Sequence, residues 1–138
     1  MRLGTTRWLL VGLLCLALWT TAHAQQTQWE KLIGGGMEAY ERGRYAEAEK
    51  LWLAALKEAE TFGGEDPRLA TSLNNLAAIY DEQGKYAQAE PLYQRALAIR
   101  EKTLGPELPE LATSLNNLAL LYDNQGKYAQ AEPLYQRS

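Results

Sequence analysis

The 28 residues from Leu69 to Ala96 recur from Leu111 to Ser138, shifted by 42, with 24 positions identical. The four exchanges are Ala78/Leu120, Ile79/Leu121, Glu82/Asn124 and Ala96/Ser138. A fixed period of this size means a stack of supersecondary units, none of which buries its apolar face alone. A fainter copy lies upstream. Gly43-Arg44-Tyr45-Ala46-Glu47-Ala48-Glu49 matches the segment from Gly84 to Glu90 at an offset of 41, and the segment from Phe62 to Pro67 matches that from Leu104 to Pro109 at 42. One residue is therefore missing from the earlier copy.

Within each copy the apolar spacing is helical. Leu69, Leu73, Leu76, Ala77 and Tyr80 form one stripe of an amphipathic helix. Gly84 follows, a residue suited to the left-handed geometry that ends a helix. Tyr86, Ala89, Tyr93, Ala96 and Leu97 form a second stripe. Small residues at Ala77, Ala89 and Ala96 permit close helix approach, with Tyr80, Tyr86 and Tyr93 filling the space around them. Each unit is an antiparallel helix pair. Asp66-Pro67 reads as N-cap and first helical residue, whereas Leu108-Pro109 keeps the proline without the capping carboxylate. Pro91 and Pro133 fall near the first turns of the second helices, where few backbone bonds are lost. Gly34-Gly35-Gly36 lies in the first helix, and each interior glycine costs about 1 kcal/mol relative to Ala, so this helix is expected to be the least stable.

Leu76-Ala77-x-x-Tyr80, Gly84-x-Tyr86, Ala89, Tyr93 and Ala96 resemble the tetratricopeptide repeat (TPR) pattern. The last copy keeps Leu118, Ala119, Tyr122, Gly126, Tyr128, Ala131 and Tyr135; the first matches through Gly36, Tyr40, Gly43, Tyr45, Ala48, Trp52 and Ala55, with tryptophan replacing one tyrosine. The extra length resembles the variety found in kinesin light chain and related bacterial proteins. The resemblance implies an all-α, right-handed superhelical solenoid with repeats at about 28–66, 67–108 and 109–138, the last incomplete. Ser138 is the counterpart of Ala96, where the preceding copy continues its helix. The expectation is a short last helix with an open face, belonging to a longer solenoid or covered by something else.

Residues 1–24 have the layout of a cleaved secretory signal: Arg2 and Arg7, an apolar run from Trp8 to Trp19, then Ala22-His23-Ala24 before Gln25. That run is short for a membrane span; an uncleaved anchor is the other reading. Cleavage leaves residues 25–138 in the periplasm or medium and removes Cys15 and His23, the only cysteine and histidine. Disulfides, thiolate chemistry, a Ser-His-Asp triad and His/Cys zinc sites are excluded by inventory. Neither a cofactor nor a metal is expected. Two of the 14 basic residues leave with the signal, so 12 face 17 acids, a net charge of −5. That balance disfavours nucleic acid and anionic membranes.

Asparagine is a mediocre helix former, so Asn74-Asn75 and Asn116-Asn117 need a reason. Thr71, Asn75, Ala78 and Glu82 line one stripe, with Asn74 and Asp81 beside it, away from the core stripe. The resemblance implies that such stripes line a concave groove, and that Asn75 and Asn117 hold the backbone of an extended peptide, to which an amide both donates and accepts. The candidate binding residues are Thr71, Asn74, Asn75, Ala78, Asp81 and Glu82, with Thr113, Asn116, Asn117, Leu120, Asp123 and Asn124 in the last copy. The alternative is that the asparagines tie adjacent repeats together. Asp81, Glu82 and Asp123 point to a neutral or basic ligand. Glu38, Glu41, Glu47 and Glu49 read as a solvated face, and paired acids such as Glu47 and Glu49 lie on different helical faces, which gives no support to an enzyme. The expected function is a non-catalytic adaptor for protein segments; the alternative is a structural module that self-associates into homo-oligomers.

Overall fold

The computed structural model describes residues 4–104 and 109–138, the side chains of residues 4–13, 22 and 104 excepted. Among the described residues there are six helices and no strands: α1 (Gly4–Glu41), α2 (Tyr45–Glu60), α3 (Pro67–Glu82), α4 (Tyr86–Leu104), α5 (Pro109–Asn124) and α6 (Tyr128–Tyr135). They pack as consecutive antiparallel pairs, α1 with α2, α3 with α4 and α5 with α6. The pairs stack through α2 on α3 and α4 on α5. This is a TPR-type solenoid.

Both apolar stripes read from the sequence are in the core. Leu69, Leu73, Leu76 and Ala77 are buried, as are Ala89, Tyr93, Ala96 and Leu97, while Tyr80 and Tyr86 are half-buried against the third repeat. Burial pushes the Tyr93 phenol far above its ordinary range. Gly84 has φ +70°, and Gly43 and Gly126 have φ +71°, which lets the chain reverse between paired helices without a Cβ penalty. Pro91 and Pro133 are each the sixth residue of their helices, so each removes the amide that would bond the carbonyl of Ala87 or Ala129.

Asp66 caps α3, accepting from the Arg68 amide at 2.9 Å and gripping the Arg68 guanidinium at 2.8 and 2.7 Å. Leu108 lies outside the described residues. Side-chain bonding to Arg68, opposed by burial and helped by the amide, holds the Asp66 carboxyl below the usual range. A depressed carboxyl contributes stability that is full above its unfolded pKa of about 3.9 and is lost as pH falls through the folded value. Asp66→Ala is expected to cost about 1 kcal/mol at neutral pH, with the difference from the parent vanishing in acid melts.

The register of the first repeat differs from the sequence reading. Arg44 N donates to Ala39 O at 2.8 Å, as Lys85 N does to Tyr80 O at 2.7 Å and Lys127 N to Tyr122 O at 2.8 Å. Ala39 therefore holds the place of Tyr80, and Tyr40 that of Asp81. Trp52, the counterpart of Tyr93, lies against this shifted register: it is 2% exposed, donates from Nε1 to Ile33 O at 3.3 Å, and packs on the Tyr40 ring with centroids 5.7 Å apart. Gly36 stands where Ala77 stands, and a Cβ there would fall 2.1 Å from Trp52 Nε1.

The three glycines are thus unlike one another, and α1 runs unbroken through them. A Cβ at Gly34 would meet nothing within 4 Å. Gly34→Ala is expected to raise stability by about 1 kcal/mol, read as a higher thermal midpoint; an unchanged midpoint would show that this turn is not an ordinary helix interior.

Candidate functional site

Helices α1, α3 and α5 lie side by side, and three side-chain bonds cross between them on one surface. Tyr40 Oη donates to Glu82 Oε1 at 3.3 Å, Asn117 Nδ2 to Asn74 Oδ1 at 3.1 Å, and Asn124 Nδ2 to Asp81 Oδ1 at 3.2 Å. The two-fold repetition of asparagine in each helix supplies the second of these, since the second asparagine of one copy meets the first asparagine of the copy before it.

The surface also separates two residues that the sequence treats as equivalent. Asn117 spends one amide hydrogen on Asn74. Asn75 has Ile33 where Asn74 stands for Asn117, and the Ile33 side chain offers no acceptor. Asn75 is half-buried and makes no side-chain hydrogen bond among the described residues. Asn116 is exposed and makes none either. Thr71 and Thr113 close their own first turns, donating to Pro67 O at 3.2 Å and Pro109 O at 2.9 Å. Ala78 is half-buried, and Leu120 is 46% exposed, a large apolar side chain facing out of α5.

Asp81 and Asp123 are half-buried and Glu82 is exposed, on one end of this surface. Asp123 accepts from Tyr135 Oη at 3.5 Å. Among the described residues no Lys or Arg forms an ion pair with any of the three, although seven ion pairs form elsewhere. Burial, with the neighbouring Glu82, raises the Asp81 carboxyl above its ordinary value, against the hydrogen bond from Asn124. Burial and then Glu82 raise the Tyr40 phenol. Glu49 departs from the solvated face expected for it, being half-buried and accepting from Gln83 Nε2 at 3.1 Å.

The sequence reading took no residue of α1 into the site. Ile33, Met37 and Tyr40 are the counterparts of Asn74, Ala78 and Asp81, and Met37 is 41% exposed. The offset of 41, applied past Gly43 into α1, carries that signal.

The family model for the tetratricopeptide repeat matches residues 35–102 and 82–138. The chain belongs to the tetratricopeptide repeat family. The crystal structure of BtubC (BKLC) from P. vanneervenii is 28% identical with a TM-score of 0.74, over 79% of this chain and 43% of that one. A kinesin light chain-like protein of Podosopora anserina, with nearly identical TPR-like repeats, is 26% identical at a TM-score of 0.66, over 79% of this chain and 52% of that one. This chain therefore spans about half the length of these relatives or less. The TPR domain of Arabidopsis FLU shares the fold at 20% identity and a TM-score of 0.69, over 81% of this chain and 92% of that one. No curated protein matches the sequence. The family is that of the tetratricopeptide repeat, and the P. anserina neighbour carries kinesin light chain-like TPR repeats; TPR modules generally mediate protein–protein interaction and are generally non-catalytic.

Proposed function

We propose that this chain is an adaptor that binds an extended, neutral or basic protein segment across α1, α3 and α5. One observation carries the reading: the three helices are stitched into a continuous surface by side-chain bonds, while Asn75 keeps its amide uncommitted. A half-buried amide without a partner is poised for a backbone peptide group, whose net hydrogen bond contributes about 1 kcal/mol. Asn75→Ala is expected to weaken peptides selected against the surface about fivefold and to leave the melting midpoint unchanged. Asn117→Ala is expected to lower both, because Asn74 loses its donor. Equal melting losses in the two variants, with binding intact, would make both asparagines structural ties.

Self-association has an observation of its own. The segment from Tyr128 to Tyr135 repeats that from Tyr86 to Tyr93, yet Tyr128 is 68% exposed where Tyr86 is half-buried beside α5. Concentration-dependent sedimentation abolished by Tyr128→Lys would support it.

The export reading rests on the leader pattern. The described part of the leader exposes Leu14, Leu16, Leu18 and Trp19, and no described helix is long and apolar enough to cross a membrane. N-terminal sequencing of protein recovered outside the cytoplasm is expected to begin at Gln25; a start at Met1 would refute cleavage.

A further inference from the structure

Between the C-terminal ends of α3 and α5 lies an open cavity of about 270 Å3 lined by Asp81, Glu82, Tyr86, Leu120 and Asn124. We propose that this cavity is a socket for one lysine or arginine side chain of the bound protein segment, a specificity site resting on the groove-binding reading above. Its walls suit a long cationic side chain. Leu120 and the Tyr86 ring cover an aliphatic stem, the ring face also attracts a cation, and Asp81 and Glu82 offer the charge at the end. Each of these carboxylates has one oxygen engaged, by Asn124 and by Tyr40, and a second oxygen free of any side-chain hydrogen bond or ion pair among the described residues. A neutral segment would strip water from both acids without compensation, whereas a cation neutralises them.

The repeat supplies an internal comparison. At the junction of the first and second repeats Tyr40 stands for Asp81, Tyr45 for Tyr86, Ala78 for Leu120 and Glu82 for Asn124. There the Tyr40 ring packs on Tyr45, with centroids 5.5 Å apart, and its hydroxyl bonds Glu82, so the chain fills the equivalent place with its own side chain. Of the four exchanges in the otherwise identical copies, Ala78/Leu120 and Glu82/Asn124 both change walls of the open socket. Leucine adds the apolar wall, and asparagine at 124 bonds Asp81 where a glutamate would repel it.

The test is selection of a random dodecapeptide display library on the folded protein. Enriched peptides are expected to share an Arg or Lys at a fixed position. Replacing that residue by citrulline or norleucine, or introducing Glu82→Gln or Leu120→Ala, should weaken binding about tenfold or more, with thermal midpoints unchanged and the salt dependence flattened in Glu82→Gln. Peptides whose cation is dispensable, yet which lose affinity in Asn75→Ala, would overturn the socket and leave the groove standing. Absence of enrichment, or peptides indifferent to Asn75→Ala as well, would overturn both.

Discussion

Gly36→Ala is expected to melt well below the parent chain, and Trp52→Tyr, added to it, is expected to recover part of the loss. The added Cβ would sit 2.1, 2.3 and 2.8 Å from three atoms of the Trp52 indole, separations that force either the ring or α1 to move. The ring cannot swing out freely, being 2% exposed and bonded to Ile33 O. Overpacking of a filled core costs about 1–3 kcal/mol or more, and in a chain of this size each kilocalorie moves the midpoint by about 3–4 °C. Trp52→Tyr alone leaves unfilled volume and is destabilising in its own right. Together the two changes recreate the Ala77–Tyr93 pairing of the second repeat, both members of which are buried. Recovery stays partial because Ala39 lacks the bulk of Tyr80. Strictly additive losses in thermal or urea melts would show that glycine at 36 has nothing to do with the tryptophan opposite it.

That pairing shows where reading along the chain stops. Helix stripes, the Asp66 cap and the turn glycines are local or periodic, so they are legible in order along the sequence. The place of Tyr40 is not. Matching tyrosine to tyrosine set it against Tyr80, whereas the 41-residue offset, carried past Gly43 to Arg44 and Ala39, sets it against Asp81. Asn75 and Asn117 are identical in sequence context and differ only because α1 presents Ile33 where α3 presents Asn74. Compensation between neighbouring helices belongs to pairs of positions, and one copy read alone does not contain it. The socket was half legible for the same reason: Asp81, Glu82, Leu120 and Asn124 were candidates, but Tyr86 reads as core until α5 is in place beside it.

The same exchange of bulk between helices carries the other large expected effect, at the buried serines of the two repeat junctions. Ser72 is fully buried and accepts from Trp29 Nε1 of α1 at 2.8 Å. Its counterpart Ser114, 1% exposed, accepts from Arg100 Nη1 of α4, which also donates to Glu110 O at 3.2 Å. Where one junction has Trp29 with Ala59, the other has Ala70 with Arg100, so the bulky N–H donor comes from opposite sides. Arg100 is 7% exposed without a carboxylate in ion-pair contact among the described residues, and burial lowers its guanidinium from the ordinary range against a smaller opposing pull from Glu110. Ser114→Ala is therefore expected to cost about 1.5–3 kcal/mol, because a buried charge loses a partner, against about 1 kcal/mol for Ser72→Ala, where the donor is neutral. Arg100→Met removes the charge together with its need and is expected to be close to neutral or stabilising. In that background Ser114→Ala should cost much less than in the parent chain. Equal losses for Ser114→Ala in both backgrounds would mean that the serine acts through packing alone and that the guanidinium is solvated well enough without it.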